Sequence, residues 1–562
     1  MDRSGFQKLC AGKYPVLDGA TGTELIKRGM PAGVSPELWV YENPQSICDI
    51  HNAYIAAGSD IVYAPTFGGN RMKLAEFGLS DRLHEIVSSL VRIAKENAGN
   101  RALVFGDIAP TGRFVEPFGD LPFEEAVAVF REAASAMLDG GVDGFAIETM
   151  MDLQEARAAL LGVREVAPDL PVIVTMTFDA SGRTLTGTAP EAALVTLQAL
   201  GADAFGCNCS TGPQEMAGII RQMKPFARIP LIAKPNAGLP TLENGRTVFT
   251  MDAATFASYV PLLAGAGAAV FGGCCGTAPE YIAALSGALQ TLPPATFPAA
   301  CGGVIASASE ICEYGKRFTI IGERINPTGK KALQAELREN KLDMVVDFAI
   351  QQKSAGARIL DVNMGLSGIN EPEMMRKAVC RLVKTVTLPL CIDSTDPAAV
   401  EAALRIFPGR ALRNSISAED GRMEAILPIA AKYGAMFVAL PLTSGGISDI
   451  PSERMAVADR IITEAAKYGY TTDDIVVDAL IMAAAVDPLA AQAALGVVEA
   501  CHKRNLRTVC GLSNISRRAA KRPLLNLTFL GMLMGQGLTG AIADPQEILP
   551  TVKAGEATGG LQ

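Results

Sequence analysis

The chain has 562 residues, 49% of them apolar and 19% charged, which is material for two or three cored domains. Its net charge of −9, with no basic cluster, argues against nucleic acid as a partner. No apolar run is long enough to cross a bilayer, and Met1-Asp2-Arg3-Ser4-Gly5 lacks an apolar signal core, so no membrane association and a cytoplasmic location are expected. Twelve cysteines in such a chain point to metal ligands, nucleophiles or buried apolar residues rather than disulfides. Only three histidines occur, His51, His84 and His502, so the chemistry must lean on thiolates, carboxylates and amides.

In the first half, short apolar runs alternate with helix-length amphipathic stretches, at 16–17, 61–63, 103–105, 145–147, 172–174, 204–206, 231–233 and 269–271. A Pro/Ala/Gly/Ser-rich stretch follows at 292–309 and reads as a linker. A second set of runs begins at 318–321 and continues at 359–360, 390–392, 411–412, 436–440, 475–477, 508–510 and 541–542. Eight strands twice over predict an α/β chain of two tandem (β/α)8 TIM barrels, with two doubly wound sheets as the alternative. The expected boundaries are 1–292 for the first barrel, 293–315 for the linker and 316–562 for the second barrel.

Polar residues break the pattern where each apolar run ends. Asp18, Thr66, Asp107, Glu148, Cys209 and Cys274-Cys275 do so in the first half, and Glu323, Asp361, Asn363, Asp393, Asn414, Asp478 and Asn514 in the second. A barrel places such positions on its catalytic face. Phe271-Gly272-Gly273-Cys274-Cys275-Gly276-Thr277 frames two thiols with glycines that permit a sharp turn. Gly206-Cys207-Asn208-Cys209-Ser210 offers two more, which strand alternation would aim the same way. Buried apolar cysteines are the bland reading, but zinc held by three protein ligands with a fourth position open is the pattern of a catalytic site.

At these residues the first 290 positions resemble the homocysteine S-methyltransferase family. The resemblance rests on Asp18-Gly19-Ala20-Thr21-Gly22-Thr23-Glu24, Pro235-Asn236-Ala237-Gly238 and Gly272-Gly273-Cys274-Cys275-Gly276. It implies that Cys209, Cys274 and Cys275 hold zinc, that Asn236 fills the fourth position before homocysteine arrives, and that Cys207 is a packing residue. Zinc would deprotonate the homocysteine thiol, since only the thiolate attacks a methyl group well. Asp18, the Gly19-Ala20-Thr21-Gly22-Thr23 turn and Glu148 are the candidate homocysteine contacts. Glu148 suits the ammonium and the turn's N–H groups suit the carboxylate, with a rim salt bridge and a plain tight turn as the bland alternatives.

The second half closes its ring of carboxylates and amides with Gly511-Leu512-Ser513-Asn514-Ile515-Ser516. Such groups suit a neutral heterocycle with an aminopyrimidinone edge, though any one of them also suits a helix N-cap. From residue 318 onward the chain resembles the pterin-binding family, on its methyltransferase branch because Ser513-Asn514 stands where a serine-arginine-lysine loop is otherwise found. The resemblance implies that Glu323, Asn326, Asp361, Asn363, Asp393, Asn414, Asp478 and Ser513 line a site for 5-methyltetrahydrofolate, and that Asn514 hydrogen-bonds near N5 as the catalytic group. A tertiary amine leaves poorly unless its nitrogen gains a proton or hydrogen bond.

Together the two halves resemble the substrate-binding part of the cobalamin-dependent methionine synthase family. That implies methyl transfer from 5-methyltetrahydrofolate to homocysteine through a cobalamin carrier, giving methionine and tetrahydrofolate. The carrier would sit on a missing domain or a separate corrinoid protein. Asp49-Ile50-His51-Asn52-Ala53-Tyr54 matches a corrinoid-binding loop only in part and falls in an expected helix. Rival readings are a corrinoid-dependent methyltransferase with another thiol acceptor or a non-folate donor, and a non-catalytic zinc- or folate-binding protein.

Overall fold

The computed structural model describes residues 1–243, 246–293, 302–484 and 489–557. The chain divides into two compact units, Met1–Cys301 and Gly302–Gln562.

The first unit carries strands β1 (Ile61–Tyr63), β2 (Leu103–Ile108), β3 (Gly144–Met150), β4 (Val172–Met176), β5 (Ala204–Asn208) and β6 (Leu231–Lys234), a hairpin of β7 (Pro240–Glu243) and β8 (Arg246–Phe249), and β9 (Ala268–Phe271). All but the hairpin pair in parallel, in the order β1-β2-β3-β4-β5-β6-β9. The run at 16–17 supplies the missing member: Val16 bridges Phe271 and Leu17 bridges Ile61, both in parallel, which closes a (β/α)8 barrel. Inside, Leu17, Ile61, Tyr63, Phe105, Ala146, Ile173, Ala204, Ile232 and Val270 form one core, and Phe6 and Cys10 of the helix Arg3–Gly12 join it. The Arg3 N–H donates to the Asp169 carbonyl just before β4, so this helix covers the amino-terminal end of the strands.

The second unit opens with a hairpin of β10 (Val304–Ala306) and β11 (Ile311–Glu313). It continues with β12 (Thr319–Ile325), β13 (Ile359–Asn363), β14 (Leu390–Asp393), β15 (Leu412–Ala418), β16 (Met436–Thr443), β17 (Ile475–Asp478), β18 (Arg507–Val509) and β19 (Gly540–Ala543). These eight form one parallel sheet, with β19 beside β12. The Gly511–Ile542 bridge and an Ile542 N–H bond of 2.8 Å to the Cys510 carbonyl close the ring.

The span expected as linker, 293–315, is more than a connection. Residues 294–301 lie outside the described residues, but Ile305, Cys312 and Tyr314 of the hairpin join the barrel core beside Ile321, Ile359 and Cys391. Buried Arg410, just ahead of β15, donates to the Val304 carbonyl at 3.0 Å, and the Tyr314 hydroxyl donates to the Thr508 carbonyl at 3.2 Å. The apolar residues of β10 and β11 thus plug the amino-terminal end of the second barrel, as a helix does in the first. Among the described residues no helix is long and apolar enough to cross a membrane.

Candidate functional site

At the carboxyl ends of the first barrel's strands, the Sγ atoms of Cys209, Cys274 and Cys275 all lie within 4.8 Å of one another. The loop after β9 is shaped by its glycines. Gly276 has φ +81°, and a Cβ at Gly273 would lie 2.2 Å from Thr277 Oγ1. The Cys274 N–H donates to the Pro235 carbonyl and the Ala237 N–H to the Cys275 carbonyl, lacing this loop to the one after β6. Cys209 itself sits one residue past β5 with φ +59°, and Ser210 with φ +57°. Non-glycine residues rarely hold such a backbone, and held strain of this kind clusters at functional sites.

That kink corrects the expectation that Cys207 and Cys209 share a direction. Alternation ends with the strand at Asn208, so the two thiols part company. Cys207 is buried, burial pushes its thiol up, and it is not in the cluster of three. The thiols of Cys274 and Cys275, donating to Cys209, hold Cys209 well below the ordinary thiol range. Three sulfurs within 4.8 Å of one another, one of them held negative by the other two, with a buried amide at hand, fit a soft divalent cation such as zinc. The amide is Asn236, whose Oδ1 accepts from the Cys275 N–H at 3.1 Å and keeps a second lone pair.

The sulfurs border a cavity of about 280 Å³ whose lining includes residues 19–23, Asp107, Glu148, Thr149 and Lys234. Lys234 is buried at the end of β6, donates to Glu148 at 2.8 Å, lies 3.8 Å from Asp18 and stands 3.9 Å over the Tyr63 ring. Burial alone would pull the ammonium's pKa down, but Glu148 and Asp18 outweigh it and hold Lys234 well above the ordinary range. Asp18 does not line the cavity. It is buried beside it, accepting from the Tyr63 N–H at 2.7 Å, and burial raises it to about 6. Asp107 is buried with Oδ1 unbonded, and desolvation followed by nearby Glu148 keeps its carboxyl well above the usual range.

The expected tight turn at 19–23 is the entry to the helix Thr21–Lys27. The Ala20 N–H is already given to the Thr277 carbonyl at 3.0 Å, so the amides left for a ligand there are those of the helix's first turn. His51 is buried on the helix Pro44–Ala56, with Nε2 at 3.0 Å from the Tyr63 carbonyl, and burial lowers its pKa to about 4.

In the second barrel the register aligns Asn363 with Asp393 and Asp393 with Asn414 across β13, β14 and β15. Asn363 Nδ2 donates to Asp393 at 2.9 Å, Asn414 Nδ2 donates to Asp361 at 3.2 Å, and Ser513 Oγ donates to Glu323 at 2.8 Å. Burial raises all four carboxyls in this ring: Glu323, Asp361, Asp393 and Asp478, the last to about 6. Asp478 also accepts from the Leu480 N–H at 2.7 Å, with Leu480 at φ +57°. Asn514 is exposed at the rim. Asn326 stands apart, its Oδ1 accepting from the nearby Thr328 N–H at 2.9 Å.

Residues 15–289 match the family described as homocysteine S-methyltransferase, and residues 322–544 match the pterin binding enzyme family. Each half of the chain is thus similar to one of these families. Across both halves the chain is similar to the methionine synthase of Mycobacterium leprae, 30% identical over 96% of this chain and 48% of that protein. The methionine synthase of Mycobacterium tuberculosis is also 30% identical, over 95% and 48%. The chain thus spans about half the length of the curated relatives it matches. Among solved structures, the homocysteine methyltransferase of Escherichia coli in its oxidized form is 26% identical with a TM-score of 0.42, covering 49% of this chain and 95% of that one.

Within the first barrel, several residues around the cavity escaped the sequence reading. Lys234 reads as the polar end of an apolar strand, and its partner Glu148 is 86 positions away. Asn208, which donates to Thr149 Oγ1 at 2.8 Å and lies 3.6 Å from the Cys274 sulfur, sits between two cysteines that draw the eye. Asp107 was visible only as one strand-end carboxylate among several.

Proposed function

We propose that this chain carries out, in the cytoplasm, the two half-reactions that move a methyl group from 5-methyltetrahydrofolate to homocysteine. A cobalamin carrier borne on another domain or protein would take the methyl between them. The observation that carries the reading is the trio of thiols within 4.8 Å bordering an acidic, lysine-braced cavity.

Cys209, Cys274 and Cys275 would hold zinc, with Asn236 as the fourth donor. When bound, zinc supplies the positive charge that keeps the acceptor's sulfur a thiolate at neutral pH. Glu148 and Asp107 receive the amino acid's ammonium, and Lys234 fixes Glu148 in place. The first-turn amides of Thr21, Gly22 and Thr23 receive its carboxylate. In the pterin-binding half, Asp361, Asp393 and Asp478 accept from the aminopyrimidinone edge, while Asn363, Asn414 and Ser513 orient those carboxyls and Glu323. Asn514 supplies a hydrogen bond to N5, which keeps the electron pair as the N–CH3 bond breaks.

The test uses the purified chain with free corrinoids. Methyltetrahydrofolate and homocysteine alone should yield no methionine. Added methylcobalamin should permit zinc-dependent homocysteine methylation, and added cob(I)alamin should accept methyl from the folate. Methionine formed with every corrinoid excluded overturns the reading.

A further inference from the structure

Arg413, on β15, is 2% exposed and takes no part in the ring of acceptors beside it. Its register partners are Ile392 on β14 and Phe437 on β16, and Phe437 packs with Ile426 and Leu427 of the helix Arg422–Lys432. Its neighbours on β15 face the other way: Leu412 joins the barrel interior and Asn414 turns inward to Asp361. Arg413 therefore lies behind the barrel wall, between the strands and the helices.

A cation buried there is costly unless something balances it. Its Nη2 donates to the Ser394 carbonyl at 2.6 Å, its Nη1 reaches the Ile392 carbonyl at 3.4 Å, and its Nε has no partner. Among the described residues no carboxylate bonds it. Burial lowers Arg413 to about 10, and Asp393, Cys391 and Asp361 across the wall hold it up, with Arg422 opposing them. The effect is reciprocal. Burial raises Asp393, the Asn363 bond and Arg413 pull it back, and Glu371, at the head of the helix after β13, adds to the rise. A cation touching Asp393 would occupy the oxygens that a ligand needs. Asn363 takes one of them at 2.9 Å, and a charge behind the wall leaves the other to a ligand.

We propose that Arg413 is a positioning residue for the pterin ring: it anchors the end of β14 by the Ser394 carbonyl and, from behind the wall, supplies the counter-charge that keeps Asp393 an acceptor for a ring N–H. The inference rests on the folate reading of this barrel.

Isothermal titration of the full chain with 5-methyltetrahydrofolate, stepped from about pH 5 to about pH 9, tests it. The native affinity should level near pH 7. Arg413→Gln keeps an N–H for Ser394 but no charge. It should bind about tenfold more weakly at pH 7 and go on gaining affinity to about pH 8. Arg413→Lys keeps the charge and should stay within about threefold of native with the native profile, and this arm decides the matter if the glutamine variant does not fold. A glutamine variant weaker by one factor at every pH makes Arg413 a structural residue only and overturns the proposal. So does a glutamine variant that binds as the native chain does, or a lysine variant that loses tenfold. Each of these leaves the folate reading standing. If the native chain binds no methyltetrahydrofolate, the folate reading itself falls and takes this inference with it.

Discussion

The two barrels share a scaffold and diverge at their mouths. Each closes a ring of eight parallel members, and each has the amino end of its ring plugged by what precedes it, a helix in one and a hairpin in the other. At the mouth of the first, full charges meet: Lys234 against Glu148 and Asp18, beside a knot of three sulfurs. At the second, carboxyls meet amides and a hydroxyl instead: Asp361 with Asn414, Asp393 with Asn363, Glu323 with Ser513. A zwitterionic thiol needs fixed charges and a soft Lewis acid. A neutral heterocycle needs acceptors held at defined angles, and buried amide–carboxyl pairs hold them without a net field. The scaffold is silent on function, and the difference between the mouths carries it.

Breaking one mouth should leave the other working. Cys275→Ser should release zinc and lower homocysteine methylation from methylcobalamin by more than about a hundredfold, beyond what loss of a supporting shell produces. Demethylation of methyltetrahydrofolate by added cob(I)alamin should stay within about twofold of the native rate. Asn514→Ala should do the reverse, slowing demethylation about a hundredfold while homocysteine methylation is untouched. Equal damage to both half-reactions by either variant would sink the claim of two independent sites.

The acidic side of each mouth sharpens the contrast through pH. Burial raises Asp478 to about 6. A carboxyl raised in the folded state binds extra protons between about pH 4 and 6, so its contribution to stability is complete below the unfolded value near 4 and fades as pH climbs through 6. A pterin N–H prefers the ionised carboxylate, so binding runs against that trend. Affinity for methyltetrahydrofolate should rise about tenfold from pH 5 to 7 and then level, since at pH 5 about one Asp478 in eleven is ionised. Asp478→Asn should bind more weakly and flatten this rise, read by titration at stepped pH. An unchanged slope in the variant would assign the titration elsewhere.

The strands were legible because each is a short apolar run buried on both faces, and the strand-end polar residues were legible because they interrupt that run. Local pattern failed where position depends on distant partners. Lys234 gains its meaning from Glu148, and the Ala20 amide is spoken for by Thr277. It failed in 304–313, where two three-residue strands are too short for any period and the surrounding prolines and alanines read as linker. And it failed at Cys209, where one left-handed residue undid an alternation rule that holds only inside a strand.

That last point yields the smallest effect and the finest test. Cys207 and Cys209 differ by two positions and, by strand logic, would be interchangeable as ligands. The structure separates them: Cys207 is buried inside β5, and Cys209 turns out of the strand onto Cys274 and Cys275. Cys207→Ser should therefore keep its zinc and its homocysteine half-reaction. It should cost about 1–2 kcal/mol in denaturant unfolding, because it puts a hydroxyl into an apolar site with no partner prepared for it. Cys207→Ala, which leaves no polar atom behind, should cost less than the serine despite removing more volume. Cys209→Ser should show the complementary pattern, with near-native stability of the metal-free chain but zinc bound far more weakly. If Cys207→Ser sheds the metal while Cys209→Ser retains it, the kink after Asn208 is not what selects the ligand, and the sulfur cluster has been read the wrong way round.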